Sequence, residues 1–476
     1  MTVLAIDQGT SGTKAVVVDD PSQPALGAAS VPLRQARLPE GGVEQDPAEL
    51  LASVLEAGRR AVSAAGVAID AVALSNQGET VLAWDRSSGD PLSAAVGWQD
   101  RRAAGICQER RAVAGLVAER TGLRLDPYFS APKMTWLRQH VDAGVVTTTD
   151  TWLLHHLTGA FVTDASTATR SLLTNLDTGD WDPELLEIFG LDGEHLPDIV
   201  GCDQVIGTTT AFGSEAPVAG LAVDQAAALL AQSCFDPASA KCTFGTGAFL
   251  LANTGRRPVR SRLGLASSIA WRTRGQDTYC LDGQVYTAGA AVRWLQRLGL
   301  IGEPQDLDRL AVADAAGVIC VPALAGLGGP WWRPDAQARF TGLSLASGRE
   351  HLVRAVVEGV AAHVAELIDV TCGELGHRIT TLRVDGGLTR SASLVQALAD
   401  IAQLPFEVYP SPDASPLGVA ALARMALNPS MSPADAVGGW LPQAVFQPNW
   451  TPDRASSFRA SWQQALAETL TAGEDG

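Results

Sequence analysis

Two stretches of this chain echo one another. Residues 5–19 read AIDQGTSGTKAVVVD and residues 241–255 read KCTFGTGAFLLANTG. Each is a β-rich run, a Gly/Thr turn and a second β-rich run, the pattern of a hairpin. The same hairpin at the start and near the middle of a 476-residue chain implies two similar halves. The length agrees, because a single hydrophobic core stops growing at roughly 250–300 residues. The expected division is 1–235 and 236–476, with no Pro- or Ser-rich linker to mark it.

Strand and helix signals alternate within the halves. Asp46-Pro47-Ala48-Glu49 combines an N-cap, a proline at the first helical position and a capping acid. Residues 69–74 read as a strand that delivers Asn76-Gln77-Gly78-Glu79. Ser347-Gly348-Arg349-Glu350 resembles a second capping box, opening a helix in which His363 is expected to be a core residue without a role. The alternation predicts α/β layers.

Charge and composition narrow the function. Thirty-five basic residues against 52 acidic ones leave a net charge of −17. No general field therefore attracts nucleic acid or an anionic membrane, and any phosphate must be held by local groups. Seven cysteines without a CxxC pair argue against a zinc or disulfide framework and fit a reducing compartment. The first apolar run is interrupted at Asp7, and the apolar stretch 222–231 carries Asp224 and Gln225. Neither a signal peptide nor a membrane span is expected, and a cytoplasmic location follows. No GxxxxGK[ST], GxGxxG, HExxH or GxSxG motif is present, so several other enzyme classes lose their usual anchors.

The hairpin turns carry chemistry. In residues 7–14, DQGTSGTK, glycines expose backbone N–H groups and Thr10 and Ser11 supply hydroxyls, a combination that binds phosphate oxygens. Asp7 at the strand end is placed to hold Mg²⁺, a hard cation that prefers carboxylate and water oxygens. Gly245-Thr246-Gly247 repeats the turn, and Arg383-Val384-Asp385-Gly386-Gly387 adds a strand running into a glycine pair. Asp224 in Ala-Val-Asp-Gln-Ala sits in apolar surroundings that suit a general base. Each has a plainer alternative: a Gly-rich hairpin for the turns, a helix N-cap for Asp224.

Ten blocks in order extend over nearly the whole chain: DQGTSGTKAVVVD, NQGET, GWQDRR, DPYFSAPKMTWL, DTWLLHHLTG, VDQAAALLAQSCF, TFGTGAFLLANTG, AGAAVRWL, VPALAGLGGPWWRPDA and RVDGG. On these blocks the chain resembles the FGGY carbohydrate kinases, in their glycerol kinase-like branch. The resemblance implies two ribonuclease-H-like domains of the actin, hexokinase and Hsp70 type, with ATP, Mg²⁺ and a small polyol or sugar in the cleft between them. It implies Asp224 as general base, Gln225 beside it, and Gly78, Glu79, Trp98, Tyr128 and Phe249 around the substrate. On the nucleotide side it implies Asp7 as metal ligand with Thr10, Ser11, Lys14, Thr246, Gly289, Arg293, Gly387 and Ser391. Neither nucleic acid nor a membrane is an expected partner, and a homodimer is compatible with the pattern.

Four positions depart from the glycerol kinase pattern: Lys14 for Arg, Arg293 for Gln, Ser391 for Asn and Gly78 for the Arg that binds glycerol hydroxyls. The missing arginine predicts room for a longer acceptor, a tetritol or a ketopentose such as xylulose. Glycerol is the alternative, with another arginine filling the place. A nucleotide-driven switch of the actin or Hsp70 kind, without a small substrate, is the alternative from another class. Residues 212–222 are shorter and poorer in glycine than the effector loop of regulated glycerol kinases, so fructose-bisphosphate inhibition of that type is not expected.

Overall fold

The computed structural model describes residues 1–310, 312 and 314–471. The first hairpin pairs Val3–Gly9 with Gly12–Val18 in antiparallel register, Asp7 opposite Lys14 and Gly9 opposite Gly12. Gly12 has a steric reason: a Cβ there would lie 2.8 Å from the Val31 carbonyl oxygen. Gly27–Pro32 extends the hairpin on one side, while Ala71–Asn76 and then Ala216–Val223 add parallel strands on the other. With Gly207–Thr209 at the edge, the sheet has six strands.

Parallel neighbours require a crossover, and the helix Pro47–Ala65 supplies one. The Asp46 side chain accepts from the Ala48 N–H at 2.8 Å, Pro47 occupies the first turn, and Gly66 ends the helix at φ +65°. Leu50, Val54, Ala57 and Ala61 pack against Leu4, Ile6, Ala15 and Val17 of the sheet. Burying each Leu or Val is worth roughly 1.5–3 kcal/mol, so this face, rather than helix propensity, fixes the element.

The second hairpin repeats the plan. Ala240–Phe244 and Ala248–Gly255 pair antiparallel, with Gln276–Val285 and Ala266–Thr273 continuing on one side. Leu382–Asp385 and Phe406–Val408 add parallel strands on the other, and antiparallel Ala444–Phe446 completes seven. The echo in the sequence is thus a repeated sheet topology. The halves meet closely where helix Ala414–Leu427 crosses helix Asp224–Ala231: a Cβ on Gly418 would collide with the Ala227 backbone.

Three local expectations are sharpened. The strand placed at 69–74 runs from Ala71 to Asn76. The long helix starts at Arg349 with Gly348 as its N-cap, and glycine has no side chain with which to cap. The reciprocal acceptor is therefore His351, whose Nδ1 accepts from the Gly348 N–H at 2.9 Å, rather than Glu350. His363 is a core residue as expected, donating from Nε2 to the Gly329 carbonyl at 2.8 Å, and burial pushes its pKa down to about 4. Among the described residues no helix is long and apolar enough to cross a membrane.

Candidate active site

A cavity of about 490 Å³ lies between the two hairpins. Thr10, Ser11, Glu79, Trp98, Tyr128, Asp224, Gln225, Thr246, Phe249 and Arg293 all line it. Asp7 and Lys14 face each other across the first hairpin, with Asp7 near enough to Asp224 for the two carboxylates to repel. Asp7 and Lys14, like Gly78, Gly289, Gly387 and Ser391, are not in the cavity wall itself. Gly289 instead packs on the second turn, where a Cβ would lie 2.5 Å from the Gly245 carbonyl oxygen. The Ser391 hydroxyl caps helix Ala392–Ala402 and bonds Asp308 at 2.9 Å.

Asp224 follows directly on the strand Ala216–Val223 and is the first residue of its helix. It is not the N-cap, a position held by Val223; its Oδ1 accepts from the Gln225 N–H at 2.6 Å. Burial pushes its pKa up, and the positive charge of Lys241 opposes the rise. The Lys241 ammonium is fully buried and donates to Gln225 Oε1 at 2.5 Å and Thr243 Oγ1 at 2.7 Å. Thr243 in turn donates to Asp385 Oδ1 at 2.6 Å. One chain of hydrogen bonds therefore runs from the residue beside Asp224 to the end of strand Leu382–Asp385.

In the first half Asp7 stands where Thr243 stands in the second, so acid and hydroxyl are exchanged between the paired strands. Its register partner on the parallel strand, Ser75, donates to its Oδ1 at 2.9 Å, as Thr243 does to Asp385 across the equivalent pair. Burial, and after it the charge of Asp224, pushes the Asp7 pKa up to about 7. Lys14 forms an ion pair with Asp413, from the opposite half of the chain.

The far end of the cavity is polar and aromatic. Glu79 is 2% exposed, has φ +48°, and contacts Arg170 Nε; burial pushes its pKa up to about 7 against the pull of that guanidinium. Arg170 also reaches Asp282 at 3.1 Å and lies 5.8 Å from the centroids of Tyr128 and Phe129. Among the described residues nothing accepts from its Nη1 or donates to Asp282 Oδ1. Trp98 meets Tyr128 and Phe249 edge-on at 5.4 and 6.3 Å and donates from its indole to Thr10 Oγ1 at 2.9 Å. Lys133 pins the Tyr128 segment by donating to the carbonyls of Pro127, Tyr128 and Phe129 at 2.6–2.9 Å.

Gly78 adopts φ +66°, and a Cβ there would come 2.7 Å from Val223 Cγ2. The backbone is thus shaped for glycine. Three arginines line the cavity, Arg37, Arg170 and Arg293, and it is Arg170 that lies against Glu79.

Arg170, Asp282, Lys241 and Lys133 were not singled out from the sequence. Lys241 did carry a signal, being a charged residue inside the short strand AKCTF. Such a residue is buried with a partner or does not belong in a strand. Asp282 sits in QDTYCLDGQV among other polar residues and carried none. Arg170, in ATRSL, carries no comparable signal.

The N-terminal domain of the FGGY family of carbohydrate kinases matches residues 2–231, and the C-terminal domain of that family matches residues 240–427. A glycerol kinase of Alkalilimnicola ehrlichii is 41% identical over 98% of this chain and 97% of its own. One of Thermus brockianus is 40% identical over 98% and 97%. Among solved structures, Plasmodium falciparum glycerol kinase with ADP superposes with a TM-score of 0.90 at 30% identity, covering 98% of both chains. The xylulose kinase of Rhodospirillum rubrum, at 22% identity and TM-score 0.87 over the whole of both chains, shares the fold.

Proposed function

Because the chain belongs to the FGGY family of carbohydrate kinases and is an ATP-dependent kinase of a polyol or sugar hydroxyl, we propose that its acceptor is glycerol and its general base Asp224. The observation that carries the choice of acceptor is Arg170. Its guanidinium lines the same cavity as Asp224, Glu79, Trp98, Tyr128 and Phe249, and supplies the positive donor that Gly78 lacks. Beside it, Glu79 and the unpartnered Asp282 Oδ1 offer acceptors for hydroxyls. The space expected beside Gly78 for a longer acceptor is narrowed by Val223. The curated relatives at about 40% identity are glycerol kinases.

In this reading a terminal hydroxyl lies against Asp224, which takes its proton as the oxygen attacks the γ-phosphorus in line and ADP leaves. The aromatic trio holds the carbon backbone and excludes water. Thr10, Ser11 and Thr246 line the phosphate side of the cavity, with Arg293 contributing charge near Thr246, to which it donates at 3.3 Å. Gly387, where a Cβ would project into open space, leaves room for a flat base, and Gly289 and Ser391 shape the surrounding turns. The two homologous halves divide near residue 235.

The residues also fit Mg²⁺. Asp7 and Asp224 are two partly buried carboxylates, and the charge of Asp224 helps raise the Asp7 pKa, a repulsion that a divalent cation relieves. Among the described residues no cluster of three or more ligands exists, which suits an ion held by one or two carboxylates, water and phosphate oxygens. Asp7 would be its protein ligand, and the ion would neutralise phosphate charge.

The test is ATP turnover by the purified chain with a panel of polyols and sugars. Glycerol is expected to stimulate turnover at least ~10-fold more than erythritol or xylulose. A preference for either of those would overturn the choice of acceptor. Stimulation only by a protein would favour the switch, which has no use for an aromatic-lined polar pocket.

A further inference from the structure

We propose that a second pocket, formed where residues 107–125 meet the loop 260–265, binds a small polyanion carrying two or more phosphate groups. It has a volume of about 640 Å³ and shares no lining residue with the cavity described above. Of its fourteen lining residues four are arginines and none is a carboxylate, in a chain where acids outnumber bases 52 to 35. Local positive charge of this density runs against composition and is a property of the place.

The four arginines divide by role. Arg260 is committed to the fold, donating to Asp177 at 2.8 Å and to the Glu119 carbonyl. The side chains of Arg111, Arg124 and Arg262 have no hydrogen-bond or ion-pair partner among the described residues, and all three are exposed. Three like charges around one concavity repel, a cost that an anion removes. Their guanidinium forks match phosphate oxygens two at a time.

The backbone beneath them is fixed. The Glu374 carboxylate accepts from Ser261 Oγ at 2.6 Å, from the Arg262 N–H at 2.6 Å and from the Leu263 N–H at 2.7 Å, so the loop is pinned while its arginine remains free. Across the pocket, the Ser267 N–H donates to the Gly122 carbonyl at 2.9 Å and joins the two walls. Ala114, which lines the pocket, opens the helix Ala114–Thr121, and that end carries neither an acidic residue nor a side-chain cap to oppose its positive dipole. An anion here would touch residues from both halves of the chain.

The experiment is isothermal titration of the full chain with inorganic pyrophosphate at low salt. Wild type, Arg124→Gln, Arg262→Gln and the active-site variant Thr246→Val are compared, each verified as folded by circular dichroism. Losing one charged hydrogen-bonding partner weakens binding about 10- to 150-fold. Each arginine variant is therefore expected to bind pyrophosphate at least ~10-fold more weakly, with Thr246→Val unchanged and with turnover in the absence of pyrophosphate unaltered by either arginine substitution. The proposal is overturned if wild type does not bind pyrophosphate, or if Thr246→Val abolishes binding that both arginine variants retain. It is equally overturned if the pocket takes an acidic peptide but not pyrophosphate, which would make it a protein-docking surface.

Discussion

Arg170 Nε meets the Glu79 carboxylate in the wall of the cleft, and its Nη2 meets Asp282 at 3.1 Å. All three residues are at least nine-tenths buried. Truncation to alanine would leave two buried carboxylates unpaired, a loss of roughly 3–5 kcal/mol that would confound any kinetic reading. Arg170→Lys keeps the charge without the fork. Its glycerol KM should rise about 10- to 150-fold, the worth of one charged hydrogen bond, while its ATP KM stays within about twofold. Steady-state kinetics with each substrate varied in turn checks this, and an unchanged glycerol KM would remove Arg170 from the acceptor site.

Lys241 opposes the burial that raises the Asp224 pKa. Without that positive charge the carboxylate should hold its proton to still higher pH. A carboxylate serves as base only when ionised, so if Asp224 is the base the acid limb of the kcat profile should move to higher pH in Lys241→Met. A pH–rate profile from 5 to 9 measures the displacement. A limb that stays in place would mean that some other group sets it.

Asp7 holds its proton up to about pH 7 in the folded chain, against a reference value of 3.8. Between these values the folded chain binds more protons than the unfolded one, so this group's contribution to stability falls as pH rises, and its full cost persists above pH 7. Asp7→Asn removes that cost. Its Tm relative to wild type, measured without divalent cations, should therefore rise more at pH 8 than at pH 4, although phosphoryl transfer is lost. Equal differences at the two pH values would contradict the raised pKa.

Gly78→Arg restores the Asn-Gln-Arg-Glu-Thr pattern that the resemblance implies, and on sequence grounds alone it should raise glycerol turnover. The structure reverses that expectation. A side chain at φ +66° costs roughly 1–2 kcal/mol, its Cβ must displace Val223 Cγ2 from 2.7 Å, and Arg170 already provides a guanidinium. Thermal unfolding should show a lower Tm, and kinetics no gain with glycerol.

What was legible in the sequence was local. The repeated hairpins, the cap at Asp46 and the strand that delivers Gln77 and Glu79 depend on neighbours a few residues apart, and each appears at or within two residues of where it was expected. The polar pairs of the site were not legible, because the partners are far apart along the chain: Arg170 and Glu79 by 91 residues, Thr243 and Asp385 by 142. No pattern of period 2 or 3.6 encodes such a meeting. Gly78 shows the limit from the other side. As a letter it reads as a lost arginine, but only the backbone angle and Val223 show that the glycine is shaped into its turn.

The proposed function rests on transfer of the acceptor's proton to Asp224, in a cleft where the turns proposed to bind phosphate are separate from that carboxylate. The most direct measurement compares Asp224→Asn with wild type in turnover and, by isothermal titration, in ATP and glycerol binding. Loss of a general base typically costs 10²–10⁴-fold in rate. The variant should therefore lose turnover on that scale, keep its ATP affinity within about threefold and remain folded. A folded Asp224→Asn protein with more than about a tenth of wild-type turnover would contradict the assignment and with it this account of the site.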